Sequence, residues 1–291
     1  MQERELARRT QHFFRDEVEW HCAHMTACEC GICPLWNDYR ISTLGGVREY
    51  ESCKTLPDET PFFGGVWVDV IEEYSRLDLT YVGDTLPALS GLAKRVEIFK
   101  PGRYIAGLWG KDIAYLLAWN LAPNEENTHP LRTQAAGPSF SWIKAPRRVD
   151  WPYWSRDDPI KIMGKLQSVD CDLATANPYG EVLACSIQLR SRVICGRIFN
   201  DLVTEALAKY METNPMSYGR FTDAEWGNVR RTWEDVVYLE LYQVYKGKHV
   251  MALLLQKEAG ERNVCTRLGV INRAPARWFD EHGVEEVITV V

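Results

Sequence analysis

Hydrophobic positions recur at two different periods along this chain, and the change falls near Pro130. Before it, apolar residues return every three or four positions, the spacing of a helix with one buried face. Trp67, Val70, Ile71, Tyr74 and Leu77 predict a helix over about 65–77, with Asp69, Glu72, Glu73 and Arg76 on its wetter side. Leu86, Leu89, Leu92, Ala93 and Val96 predict a second helix starting at Asp84. Asp84 or Thr85 can cap it, and Pro87 suits its first turn because the missing N–H is not needed there. Ile113, Leu116, Leu117 and Trp119 predict a short third helix within 111–120.

After Pro130 the pattern becomes strand-like, with side chains alternating between two faces. Strands are expected around Ser139–Trp142, Trp151–Trp154, Ile160–Asp172, Val182–Leu189, Val193–Ile198, Val236–Tyr245, His249–Leu255, Cys265–Ile271 and Val284–Val290. In the 236–245 run, Val237, Leu239, Leu241 and Tyr245 fall on one side, and Tyr238, Tyr242 and Val244 on the other. Asn177-Pro178-Tyr179-Gly180 and Lys246-Gly247-Lys248 read as turns. A helix over Asn200–Met211 and a short one over Ala276–Glu281, opened by Pro275, interrupt the strands. Residues 1 to about 60 show weak periodicity among cysteine, glycine and proline, and predict an irregular start.

These elements predict an α+β fold. A mainly helical segment, 1–125, packs on a mainly antiparallel β segment, 126–291, shaped as a sandwich or open barrel, in one compact unit. The alternating strand–helix rhythm of a Rossmann domain is missing.

The chain has 291 residues, 46% apolar and 25% charged, with a net charge of −6. That is an ordinary soluble composition. No basic block offers the electrostatic footprint of a nucleic-acid binder. The apolar runs are strand-sized, short of the roughly 20 residues a spanning helix needs. The start alternates in charge, unlike a secretory signal, and a cytoplasmic protein is expected. Nine cysteines, an odd number, argue against a disulfide scaffold. The later ones sit in strand-like runs as small buried hydrophobes.

Cys28, Cys30 and Cys33, with Cys53, His21 and His24 near in sequence, are the sharpest local constellation. Zinc takes such ligands, but Cys-x-Cys is shorter than the usual Cys-x₂₋₄-Cys. Reduced cysteines in a packed loop is the preferred reading, so neither metal nor cofactor is expected. Eleven tryptophans and thirteen tyrosines are more informative. Trp67, Tyr104, Trp109, Trp142, Trp151 and Trp154 either fill an inter-layer core or wall a pocket for an apolar polycyclic or prenylated small molecule. Asp69 and Glu73 lie four apart on one helix face, with Arg76 and Asp84 close in sequence. They can act as acid and base beside a substrate, or serve as helix ion pairs and a cap. Gly-x-Ser-x-Gly, His-Glu-x-x-His, the P-loop and the dinucleotide fingerprint are all missing from the sequence.

Several separated stretches resemble fungal heterokaryon-incompatibility (HET) proteins. Gln2-Glu3-Arg4 with His12-Phe13 and Glu19-Trp20 is similar to the end of that family's N-terminal domain. The fullest match runs through Trp67, Val70, Glu73-Tyr74-Ser75-Arg76, Leu79-Thr80 and Asp84 to Ala93. Tyr104–Trp109, Leu116–Trp119 and Pro138-Ser139-Phe140-Ser141-Trp142 extend it, with Phe140 where the family has tryptophan. Ala252–Leu255, Thr266–Gly269 and Trp278-Phe279 close it. The resemblance implies that the chain corresponds to the part of those proteins after their TIR-like domain, so none of that domain's catalytic residues transfers here. Two functions are then expected to compete. One is a cofactor-independent cyclase or isomerase shaping a fungal secondary metabolite in an aromatic pocket. The other is a non-enzymatic protein-interaction scaffold derived from an incompatibility protein.

Overall fold

The first described residues of the front are strands, where an irregular start was expected. The computed structural model describes residues 9–13, 15, 18–22, 26–30, 62–77, 79, 81–122, 136–146, 148–152, 160–202 and 235–291. Within it, Arg9–Phe13 (β1), Val18–Cys22 (β2) and Thr26–Cys28 (β3) form a three-stranded antiparallel sheet. These strands are short, and Phe13 and Trp20 are exposed. Burial therefore leaves little alternation in the sequence to read.

The helical stripes are buried as expected, but their boundaries move. Phe62–Tyr74 (α1) buries Trp67, Val70, Ile71 and Tyr74 and leaves Leu77 exposed beyond its end. Leu86, Leu89, Leu92, Ala93 and Val96 are all buried, yet the second α-helix, Ser90–Val96 (α2), starts six residues later than Asp84. Two 3₁₀ turns, Val82–Asp84 and Pro87–Leu89, precede it. The Thr85 hydroxyl donates back to the Val82 carbonyl at 2.6 Å and does not cap the helix. The third helix is one turn, Ile113–Leu116 (α3). A tight hairpin, Tyr104–Ile105 (β4) with Leu108–Trp109 (β5), stands before it. Asn120–Leu121 (β6) pairs with Val149–Asp150 (β7). The stretch Ser139–Trp142, expected as a strand, instead leads into a 3₁₀ turn at Trp142–Lys144, with the Ser141 hydroxyl accepting from the Ile143 amide.

The back is a seven-stranded sheet. Lys161–Ile162 (β8), Lys165–Leu173 (β9), Val182–Cys195 (β10), Val236–Val244 (β11), His249–Lys257 (β12), Val264–Pro275 (β13) and Val284–Val290 (β14) lie in the order β8-β11-β12-β13-β14-β10-β9. All its ladders are antiparallel except the short β13–β14 pairing. β10 merges two expected strands into one of fourteen residues. Its end, Val193–Cys195, also pairs with β11, so five strands form a closed circuit of pairings. Residues 196–202 are helical; the rest of the helix expected to run to Met211 lies outside the described residues. Ala276–His282 (α4) follows Pro275 as expected.

Sheet and front share one core. The larger hydrophobic cluster joins Trp67, Leu89, Trp109 and Leu117 of the front to Leu189, Leu239, Leu253 and Val290 of the back. A second cluster, with Tyr238, Val250, Leu254, Phe199, Trp278 and Phe279, covers the other face of β11 and β12. Tyr242 and Val244, expected on the Tyr238 side, join the Val237–Leu239–Leu241 side. The register shifts between Glu240 and Tyr242, and one extra residue in a strand turns all later side chains over. The molecule is thus a mixed α+β fold with helices and a multi-stranded sheet. Among the described residues no helix is long and apolar enough to cross a membrane.

Candidate functional site: an aromatic clamp on a two-residue turn

The β4–β5 hairpin turns at Ala106 and Gly107, both with positive φ (46° and 92°). Two left-handed residues suit a tight hairpin, because their twist matches that of the strands. Their carbonyls point into the front of the molecule, and three side chains close on them. The Ser141 hydroxyl donates to the Ala106 carbonyl at 2.5 Å. The Trp67 and Trp142 indoles both donate to the Gly107 carbonyl, at 2.9 and 3.2 Å. A Cβ on residue 107 would stand 2.6 Å from Trp142 Nε1, so glycine is needed here for space as well as for conformation.

Trp119 and Trp151 of the front follow the same rule. Trp119 Nε1 donates to the Phe140 carbonyl at 2.9 Å, and Trp151 Nε1 donates to the Leu116 carbonyl at 3.1 Å. The rings meet edge to face. Trp67 packs on Trp109 at 5.8 Å and on Tyr104 at 6.1 Å, and Tyr74 packs on Trp142 at 5.9 Å. Such pairs contribute about 0.5–1.5 kcal/mol each beyond the area they bury. Tyr179, from the turn between β9 and β10, lies across Tyr104 at 5.4 Å and Trp109 at 6.3 Å. Tyr104 turns its hydroxyl away from solvent, where it has no hydrogen-bond partner among the described residues. Burial drives its ionisation far above the usual tyrosine range.

Five of the six residues expected to bind a substrate are therefore described: Trp67, Tyr104, Trp109, Trp142 and Trp151. Four of them are 0–7% exposed and in contact with one another or with backbone carbonyls. Trp154 lies outside the described residues. Of the residues expected to carry acid–base chemistry, Asp69, Arg76 and Asp84 are exposed and Glu73 is half-buried. The carboxylate that the fold draws inward is their neighbour Glu72. Its Oε1 accepts the Trp151 amide at 2.8 Å, while the Ser75 hydroxyl accepts the Val149 amide at 3.2 Å. Together they pin the end of α1 to the β7 backbone. Burial holds the Glu72 carboxyl above the ordinary carboxylate range; Asp69 and Asp150 push the same way, against the Trp151 amide and Arg148.

Two features of the back were missed by the reading of the sequence. Arg192 grips Glu240 through two hydrogen bonds, 2.6 and 2.8 Å, and reaches Asp280 of α4 at 2.6 Å. Gln243 donates to the same carboxylate at 2.9 Å. Glu240 is fully buried, and its pairing keeps Arg192 protonated far beyond its ordinary range. The partners stand 48 residues apart, and nothing local signals the pairing. Cys171 and Cys185 face each other across β9 and β10 and form a disulfide, against the expectation that the strand cysteines are merely small hydrophobes. A signal existed: Cys171 lies six residues before Asn177 and Cys185 five after Gly180, almost symmetric about the expected turn.

Arg267 marks the seam of front and back. Its guanidinium lies 3.4 Å over the Trp119 ring and donates to the Trp119 carbonyl, and its amide donates to the Ser139 hydroxyl at 2.8 Å. Of the cysteines considered for zinc, Cys28 is half-buried and Cys30 exposed, while Cys33 and Cys53 lie outside the described residues. Among the described residues no group of three or more His, Cys, Asp or Glu side chains is placed to hold a metal ion. An open groove on the N-terminal sheet is lined by Gln11, Val18, Trp20, Ala27, Cys28 and Glu29, none of them a residue of the aromatic clamp. No family model matches the chain, and neither does any curated protein or solved structure.

Proposed function

We propose that this chain is a non-enzymatic protein-interaction scaffold of the heterokaryon-incompatibility type, with an aromatic centre that serves rigidity. The observation that carries this reading is the use of the indole N–H groups. Trp67, Trp119, Trp142 and Trp151 all donate to backbone carbonyls of the protein itself. A wall built to receive a guest keeps a few polar groups converging on the space the guest will fill. Here two of them converge on the Gly107 carbonyl and the other two on the Phe140 and Leu116 carbonyls. Of the motif residues that resemble HET proteins, Trp67, Gly107, Ser141 and Trp142 form this centre, while Tyr74 and Ser75 tie α1 to Thr85 and Val149. The helical front packed on an open barrel belongs to the same proposal, supported by the shared core and by the β10–β11 pairing. The test compares metabolite extracts, by mass spectrometry, from a host expressing or lacking the chain. An unchanged profile is expected; a new cyclised or isomerised product would sink the scaffold reading.

A second reading, a cyclase or isomerase acting on an apolar secondary metabolite, is favoured by Glu72. A carboxyl held above its usual range beside an aromatic wall has the character of a general acid. If that reading holds, Glu72→Gln abolishes product formation while the protein stays folded.

A further inference from the structure

We propose that the Cys171–Cys185 bond is a reversible redox staple that controls how firmly the β9–β10 hairpin tip, with Tyr179, seats on the aromatic front. This goes beyond the scaffold reading and stands whether or not that reading holds. Three observations support it.

The first is placement. Cys171 and Cys185 are direct register partners, so the hairpin ladder holds the two sulfurs together whether or not they are bonded. Opening and reforming the bond therefore requires no search by the backbone. Cys171 is half-buried, within reach of an attacking thiol, whereas Cys185 is only 8% exposed.

The second is what the staple reinforces. β9 ends the sheet order and is paired with β10 alone among the described strands. The β9–β10 register shifts on both sides of the cysteines, between Val182 and Ala184 and between Gln188 and Leu189. The longest regular run of the ladder, Ala184–Gln188, lies between those irregularities, and the staple sits within it. Outside the ladder, Arg103 donates to the Val169 carbonyl at 3.0 Å, a contact open to solvent.

The third is what lies at the tip. The turn closes through the Gly180 amide on the Asn177 carbonyl (3.0 Å), the Tyr179 amide on the Asn177 side chain (3.1 Å) and the Ala174 amide on the Glu181 carbonyl (2.9 Å). Residues 174–178 are exposed, but Tyr179 is buried against Tyr104 and Trp109. Tyr179 thus seats the hairpin tip on the front, next to Val182 and Leu173 of the shared core, with the staple two register pairs below the turn.

The chemistry is thiol–disulfide exchange with a low-molecular-weight thiol. A thiolate RS⁻ attacks the sulfur of Cys171, the bond to Cys185 breaks, and Cys185 leaves as thiolate and takes up a proton. A second RS⁻ attacks the mixed disulfide, releasing RSSR and the Cys171 thiolate, which is then protonated. Two thiols are oxidised, one protein disulfide is reduced, and reoxidation reverses the sequence. Reduced, the hairpin keeps its ladder but loses its cross-link, and Tyr179 leaves Tyr104 and Trp109 more often.

The test uses the full chain. A non-reducing peptide map of air-oxidised protein is expected to show the 171–185 linkage; both cysteines alkylated there would overturn the proposal. Hydrogen exchange is then followed with and without dithiothreitol. Amides of 174–182 are expected to exchange at least about fivefold faster after reduction, with 284–290 unchanged, as for a local opening. Equal rates at the tip, or acceleration at 284–290 as well, would each overturn it. The Cys171→Ser/Cys185→Ser double variant should resemble the reduced protein and ignore dithiothreitol, and a continued response would assign the effect elsewhere. Should that variant fail to fold, reduction of the unaltered chain, with alkylation restricted to these two thiols, decides the matter alone.

Discussion

The front and the back of this protein solve the same problem by opposite means. Both bury polar groups in an aromatic surrounding, and a buried polar group must be satisfied. The front does so with neutral partners: indole N–H groups and a serine hydroxyl on backbone carbonyls around Gly107. The back does so with charge: Arg192, Glu240, Asp280 and Gln243 form one ionic node behind Tyr238 and Trp278. The neutral solution depends on shape and tolerates few changes of volume. The ionic one depends on pairing and tolerates replacement only if both partners change together.

The largest effect is expected at the ionic node. Arg192→Ala leaves Glu240 buried without its guanidinium and should cost about 3–5 kcal/mol, read as a shift of the urea midpoint. The double change Arg192→Met/Glu240→Leu should recover most of that loss, and a double variant as unstable as the single one would contradict the account. Next comes Gly107→Ala. Residue 107 has φ +92° and no room for a methyl beside Trp142, so a loss of about 3 kcal/mol is expected from strain and displacement together. Trp67→Phe keeps a ring but removes one donor to Gly107, and should cost about 1–3 kcal/mol in the same assay. Both front variants should show a loss independent of salt, since no charge is removed.

The smallest effect concerns pH. The Glu72 carboxyl is raised in the folded state, chiefly by burial. Between the ordinary carboxylate range and its raised value, the folded chain holds a proton that the unfolded chain has released. Stability therefore falls as pH rises through that window. Glu72→Gln should flatten this slope in pH-dependent denaturation, and an unchanged slope would remove Glu72 as its source.

How far the sequence foretold all this depended on whether the signal was local. Val284–Val290 matches the expected strand residue for residue, because alternation and its bounding Gly283 are local. The stripe from Leu86 to Val96 is right, since burial follows spacing, but its helix begins late because Thr85 and Pro87 close 3₁₀ turns first. The bulge after Glu240 and the Arg192 pairing are long-range properties and leave no mark on neighbouring residues. At the candidate site, the tryptophans stood out by number alone. Their bonds to Gly107, 35 and 40 positions away, are long-range and leave no sign in the local spacing.

β10 gives these separate features a common fate. The cysteine that faces β9, the contacts with β14 and β11, and the arginine that holds Glu240 are all threaded on Val182–Cys195. Slipping this rail by one residue past Leu189 would send Arg192 to the opposite face and Ser191 in its place. The same slip would unmatch the seam with β11. Fourteen consecutive residues thus have almost no freedom to gain or lose length, whereas substitution at their exposed positions, such as Leu183 and Gln188, leaves the rail intact.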